Sequence, residues 1–526
     1  MKKILKLLSV VIILSFLLTV CVPVAAEIKT LVIAIEGDVE TLDPNFSRFP
    51  TSNMAILNVY DQWFEYGIDD TGEGYSVTNV EKIEGKAIES WEMADDRMSV
   101  LVHVRKGVKF PMTGNPMTAD DIIWWYTKGL EVKSGYLWNI DTANISNMTK
   151  KGDYDVLVEF KKPLTLFFML FRDQNTGVID SVEVMKHATA EDPWGNNWVA
   201  KNYAGSGEFI VESLDPGVQM VLKANKDYWN GKPYFDRVIL KIIPNSSNRA
   251  LLLKEGEVDV AFGLSPDQID SIRDEKSVNI MSIPSRTIVN FFMNNSTPPF
   301  NNKKVRQALA YIVPYKSIID DIYKGRALQQ KSSIPVLGKG YNPEFWKYDT
   351  NVDKAKELMV EAGVPDGFEF TLNIKQGEEI SSILAVTLQA AFEKCGVMMN
   401  IREVTNAIWA EGMATGTHEA TLWAVGGLSY IDDPWYQIRS KKCGTVTNRS
   451  QYCNPRMDEL YEELQVVFDP VERKKLVDEV QQILVEDVPE IGLADIPIEY
   501  CLSSNLEGFV FMQDSLLWLY PLHRAK

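Results

Sequence analysis

Histidine and cysteine are the residues best able to do metal or covalent chemistry here, and their spacing gives them little to do. The four histidines, His103, His187, His418 and His523, are scattered, and no Cys-x-x-Cys or His-Glu-x-x-His zinc spacing occurs. No Gly-x-Ser-x-Gly elbow or Walker loop is present, and Gly205-Ser206-Gly207 is too short to present a nucleophile or cradle a phosphate. These observations speak against an enzyme and call for no cofactor. Cys443 and Cys453 bracket a polar loop rich in Thr, Asn and Ser, the setting of a local disulfide in an oxidising compartment. Thirteen tryptophans offer flat faces for stacking on apolar groups or sugar rings.

The elements that must position such groups alternate between strand and helix. Leu31–Ile35 and Ser99–Val104 read as strands, and Thr118 caps a helix whose first turn carries Asp120 and Asp121. Val218–Leu222, Arg237–Ile243, Val289–Met293, Phe368–Ile374 and Met399–Val404 read as further strands. Ser247–Lys254, Lys303–Ile312, Asp353–Ala362, Ser381–Lys394, Pro455–Phe468 and Val471–Val485 read as helices. This mixed order predicts an α/β protein.

The first residues concern compartment. Lys2, Lys3 and Lys6 precede an apolar run from Leu7 to Val22, and Val24-Ala25-Ala26 supplies a small-residue exit before Glu27. Residues 1–26 are therefore expected to be a secretory signal peptide. Cys21, after Leu18-Thr19-Val20, offers lipid anchoring as the alternative to a soluble periplasmic or extracytoplasmic form, although Val20 stands where a small residue is usual. Removal of the leader leaves roughly 500 residues, too many for one compact core. A formal charge of −18 argues against nucleic acid or an anionic membrane as partner.

Several stretches resemble one family in order and spacing. They are Thr41-Leu42-Asp43-Pro44, then Val104–Phe110 followed by Gly114–Asp121, and Tyr203–Phe209. Asn225–Pro233, Gly256–Val260 and Asn301–Ala310 continue the series. Together they resemble the extracellular solute-binding proteins, family 5, the peptide- and nickel-type receptors of ABC importers. The resemblance implies a two-lobed periplasmic-binding-protein fold with a hinge and an additional subdomain inserted in lobe I. Lobe I would comprise 27–87 and 204–284 with a C-terminal return at 496–526, and the insert 88–203. Lobe II would be 285–495, with hinge crossings near Pro284 and Pro497. The glycines of the signature, Gly107, Gly207, Gly231 and Gly256, are expected to serve turns.

The same resemblance suggests ligand contacts. Trp409 and Trp423 fall where the family lines its pocket. Leu422-Trp423 would end a strand, leaving 424–433 as a loop on the cleft. Peptide receptors of the family commonly carry an Asp three residues after the Trp423 equivalent, to pair with the α-ammonium. Here Gly426 and Gly427 stand in that stretch, and Asp432 or Asp433 could take over, although Asp433-Pro434 is also a turn signal. Arg286 could hold a ligand carboxylate bidentately, Asn290 could hydrogen-bond from the same strand, and Glu36 should face the opening from lobe I. The implied function is capture of a small solute, peptide-like first, by domain closure and delivery to membrane permease subunits, with the receptor acting as a monomer. An oligosaccharide is the alternative ligand, favoured by the missing Asp and the many tryptophans. A nickel or metal-chelate ligand is the more remote one.

Overall fold

The computed structural model describes residues 28–47, 50–132, 140–141, 143–163, 167–428, 433–445, 447–512 and 514–525. The expected leader and Cys21 lie outside the described residues, as does Asp432. In chain order the principal strands begin with β1 (Thr30–Ile35), β2 (Phe64–Asp70), β3 (Ser76–Gly85), β4 (Ile88–Met93) and β5 (Ser99–Val104). They continue with β6 (Ile145–Lys150), β7 (Asp155–Phe160), β8 (Phe209–Asp215), β9 (Gln219–Ala224), β10 (Arg237–Ile242) and β11 (Val260–Ala261). The last are β12 (Val278–Met293), β13 (Glu369–Lys375), β14 (Met398–Val404), β15 (Ala420–Leu428) and β16 (Glu490–Ser503).

Ten of them form one sheet in the order β14-β13-β15-β12-β16-β11-β1-β10-β9-β8. Its two halves share β12 and β16, which pair antiparallel in two runs. Val278–Ile283 lies against Ser503–Ile498, and Thr287–Phe292 against Ile496–Glu490. The register shifts between Ile283 and Thr287, where Pro284 on one strand and Pro497 on the other have no N–H for the ladder. Two paired strands broken at one level make a hinge.

Each half has its own apolar core. Leu31, Ile33, Leu222, Val238, Leu240 and Leu502 pack in the first, while Val289, Phe291, Met293, Leu372, Ile374, Leu388 and Leu422 pack in the second. The inserted subdomain is a four-stranded antiparallel sheet, β4-β5-β7-β6. β5 and β7 alternate strictly between buried and half-buried positions, the pattern of a sheet with one covered face. The helix Ala119–Val132 lays Ile122 and Trp125 in the same apolar cluster as Val100, Val102, Val156 and Val158. That cluster runs on into Ile334, Trp435, Leu460 and Val480 of the second half, so the insert and lobe II are closed upon each other.

Three expectations need correction. Val289–Met293 is only the end of a 16-residue strand. Trp423 does not end a strand: β15 continues to Leu428 and takes in Gly426 and Gly427. Gly107, Gly231 and Gly256 do adopt positive φ, but Gly207 serves close approach instead. A Cβ there would stand 2.5 Å from the carbonyl carbon of Val59, at the end of the helix Pro50–Val59.

Candidate functional site

The site follows from strand alternation. On β12, Val289, Phe291 and Met293 belong to the lobe II core, so Ile288, Asn290 and Phe292 point to the opposite face. Register places Trp423 and Gly492 beside Asn290, and Gly427 and Asp495 beside Ile288. Residues paired directly across an antiparallel ladder share a face. Trp423, Asn290, Gly492, Ile288, Gly427 and Asp495 therefore form one surface of lobe II, turned away from its core.

Trp409 joins this surface from the helix Asn406–Thr415, which Thr405 caps by accepting from the Ile408 N–H. The Trp409 and Trp423 rings meet edge to face at 5.6 Å, a favourable aromatic geometry. Both are half-buried, and the buried Nε1 of Trp409 has no hydrogen-bond partner. The guanidinium of Arg449 lies 3.8 Å over the Trp423 ring and 5.8 Å from that of Phe292. Burial and then the neighbouring Arg439 draw its pKa down to about 10, opposed by Glu490, and it remains cationic at neutral pH. Arg449 sits in the loop closed by the disulfide Cys443–Cys453, whose Cα atoms are 4.7 Å apart; Cys395 and Cys501 are free and buried.

Asn290 also lines a cavity of about 450 Å³, counting space open to solvent, with Gln330, Ser332, Ser333, Lys441 and Glu490 among its walls. Lys441 and Glu490 are ion-paired at 2.6 Å. Asn290 Oδ1, Gln330 Oε1 and Ser333 Oγ are buried without partners, so the wall presents unused hydrogen-bonding capacity. Gly492 lets the Gln330 amide lie close against the strand, where a Cβ would stand 2.0 Å from Gln330 Oε1.

The remaining expected residues divide. Arg286 is 4% exposed at the hinge crossing on β12. Asp433 takes the helix-capping role that its Asp-Pro turn signal offered beside the ligand contact. It accepts from the Trp435 N–H at 2.8 Å to cap the helix Pro434–Ile438, and both its oxygens accept from Arg473 Nη2 at 2.7 and 2.8 Å. Glu36 is exposed just past β1 in lobe I and acts on Arg249, whose buried guanidinium donates to the carbonyls of Ile243, Pro244, Phe262 and Gly263.

Arg449, Gln330 and Asp495 were not singled out in the sequence. Asp495 had a usable signal: it is the one charge in the run Ile491-Gly492-Leu493-Ala494-Asp495-Ile496-Pro497-Ile498. Arg449 and Gln330 had none, because only the folded loops bring them to this face.

Two sheet halves hinged on shared strands, with an aromatic and charged face beside the junction, define the architecture of a solute-binding protein. The family model for bacterial extracellular solute-binding proteins, family 5 Middle, matches residues 82–448, and the chain belongs to that family. The protein named "Probable D,D-dipeptide-binding periplasmic protein DdpA" of Escherichia coli K12 is 26% identical over 489 residues, which is 91% of each chain. The dipeptide-binding protein of the same organism is 25% identical over 516 residues, 94% of each. The periplasmic binding protein DppA from Helicobacter pylori, in complex with the peptide STSA, superposes with a TM-score of 0.84 over 94% of this chain and 98% of that one. At 23% identity that last likeness is one of fold.

Proposed function

We propose that this protein is the extracytoplasmic receptor of an ABC importer, closing its lobes on a short peptide or peptide-like zwitterion and presenting it to membrane permease subunits. The observation that carries the ligand class is the charge on the cleft face. Arg449, stacked on Trp423, is half-buried, and Asp495 on the same surface is buried. Desolvated charges of opposite sign suit a ligand bearing a carboxylate and an ammonium better than a neutral oligosaccharide. The peptide-binding relatives support the same reading.

The lobes are assigned as 27–87, 204–284 and 496–526 for lobe I, 88–203 for its insert and 285–495 for lobe II. The register break between Ile283 and Thr287 supports the boundary. In this reading ligand contacts come from Trp409, Trp423, Asn290 and Arg286, with Gly426 and Gly427 in the same stretch of strand. Residues 1–26 direct export. Among the described residues no helix is long and apolar enough to cross a membrane.

A thermal-shift screen of the protein against di- and tripeptides and against oligosaccharides tests the ligand class. Stabilisation by peptides alone is expected. Stabilisation by oligosaccharides alone would overturn the reading.

A further inference from the structure

Asp495 is 5% exposed, and no side chain donates to either carboxylate oxygen; the main-chain N–H of Val336 is the one donor near it. Its main chain is held on both sides. It pairs with Ile288 across β12, and on the other side exchanges hydrogen bonds with Leu328 at 2.9 and 2.8 Å. Strand geometry therefore fixes the side chain on the face that carries Asn290 and Trp423, and it cannot swing out to water. Burial lifts its pKa to about 7, the Val336 N–H is the one group that lowers it, and no charged side chain shifts it. Tyr341 is the titratable group it acts upon. Buried carboxylates are ordinarily paired, and an unpaired one makes sense where a partner arrives from outside.

The surroundings indicate where. The row Asp495–Ile288–Gly427 crosses β16, β12 and β15, and Gly427 brings no side chain to it. Two residues along β12, the next row holds Gly492, Asn290 and Trp423, and Arg449 stands over Trp423 at 3.8 Å. An anionic group and a cationic group thus share one face, with glycines beside each.

We propose that Asp495 is the ligand's cation anchor, its carboxylate receiving a primary ammonium at the hinge end of the cleft in place of the carboxylate missing at position 426. The inference rests on the receptor reading and specifies its ligand: a primary amine whose carboxylate end lies toward Arg449. Because the carboxylate must be ionised to pair, binding releases a proton as pH falls below about 7, and affinity drops with it.

The test compares a random di- and tripeptide pool with the same pool N-acetylated, and glucosamine with glucose, on the wild-type protein and D495N. The tightest member of each set is followed by calorimetry. Free-amine peptides are expected to bind wild type, N-acetylation to weaken binding on the order of 100-fold, and D495N to do the same. D495N should also melt higher than wild type without ligand, since it removes a buried charge that no side chain compensates. Equal binding of acetylated and free pools overturns the anchor even if D495N fails to fold, and so does undiminished affinity in D495N. If peptides are inert while glucosamine binds wild type but not D495N, the anchor stands and the peptide reading falls. Absence of binding by every amine overturns both.

Discussion

A guanidinium over an indole and a buried carboxylate without a side-chain partner are the two charged groups that distinguish this face. For Asp495 the pH dependence follows directly. Its folded pKa, about 7, exceeds that of an exposed carboxylate near 4, so between those values the unfolded chain binds fewer protons than the folded one. Stability therefore falls as pH rises through that window and levels off above it. Chemical denaturation of ligand-free wild type and D495N across pH 4 to 8 should show a smaller fall for the variant, with the two converging at the acid end. Parallel curves would contradict the unpaired carboxylate. For Arg449, loss of one charge-assisted contact in R449Q should weaken a carboxylate-bearing ligand roughly tenfold to 100-fold. Calorimetry of the free-acid ligand against its amide separates this from general loss of packing, since R449Q should bind the two alike.

The loop that holds Arg449 is closed by Cys443–Cys453, ten residues apart. Such a closure contributes about 3 kcal/mol on chain-entropy grounds. C443S/C453S should therefore melt lower and also lose affinity several-fold through the displaced guanidinium; a lower melting point with intact affinity would detach the loop from the site. Elements of this kind were unevenly legible in the sequence. Ser99–Val104 was readable to the residue because its alternation is unbroken, and the helix from Ala119 was announced by Thr118, whose N–H donates to Asp121 Oδ2 at 2.9 Å. The two long shared strands were not readable, since Pro284, Pro497 and Gly492 interrupt them with residues that ordinarily end a strand. Trp409 and Trp423 could be nominated from their place in the chain. Their company could not, because Gly427, Ile288 and Asp495 become neighbours only through pairing of strands far apart in sequence. Asp433 was ambiguous for a related reason: a ligand group and a cap look identical in sequence, and the pairing with Arg473 of another helix appears only in the fold.

At the scale of the whole molecule, the closed arrangement is held by pairs that bridge the lobes. Lys162 meets Glu462 at 2.8 Å, Arg326 meets Asp270 at 2.7 Å, and Lys339 pairs with Glu81. Arg97 also lies 4.9 Å over the Phe468 ring. Each exposed pair contributes little alone, but all of them exist only when the lobes are together, so they bias the closed population that ligand binding completes. Removing two of them, as in E462Q/D270N, should weaken ligand binding about two- to tenfold, and wild-type affinity should decline with added salt more than that of the variant. Identical salt dependence would show that these pairs do not act in closure.

Closure on a zwitterionic peptide-like solute between two hinged lobes is what ligand titration should reveal. Its most direct measurement is the intrinsic tryptophan fluorescence of the protein titrated with short peptides and, separately, with oligosaccharides. Free-ended peptides should give a saturable change, carried by Trp409 and Trp423 and diminished in W423F, and oligosaccharides should give none. Saturation by oligosaccharides, with silence toward peptides, would contradict it.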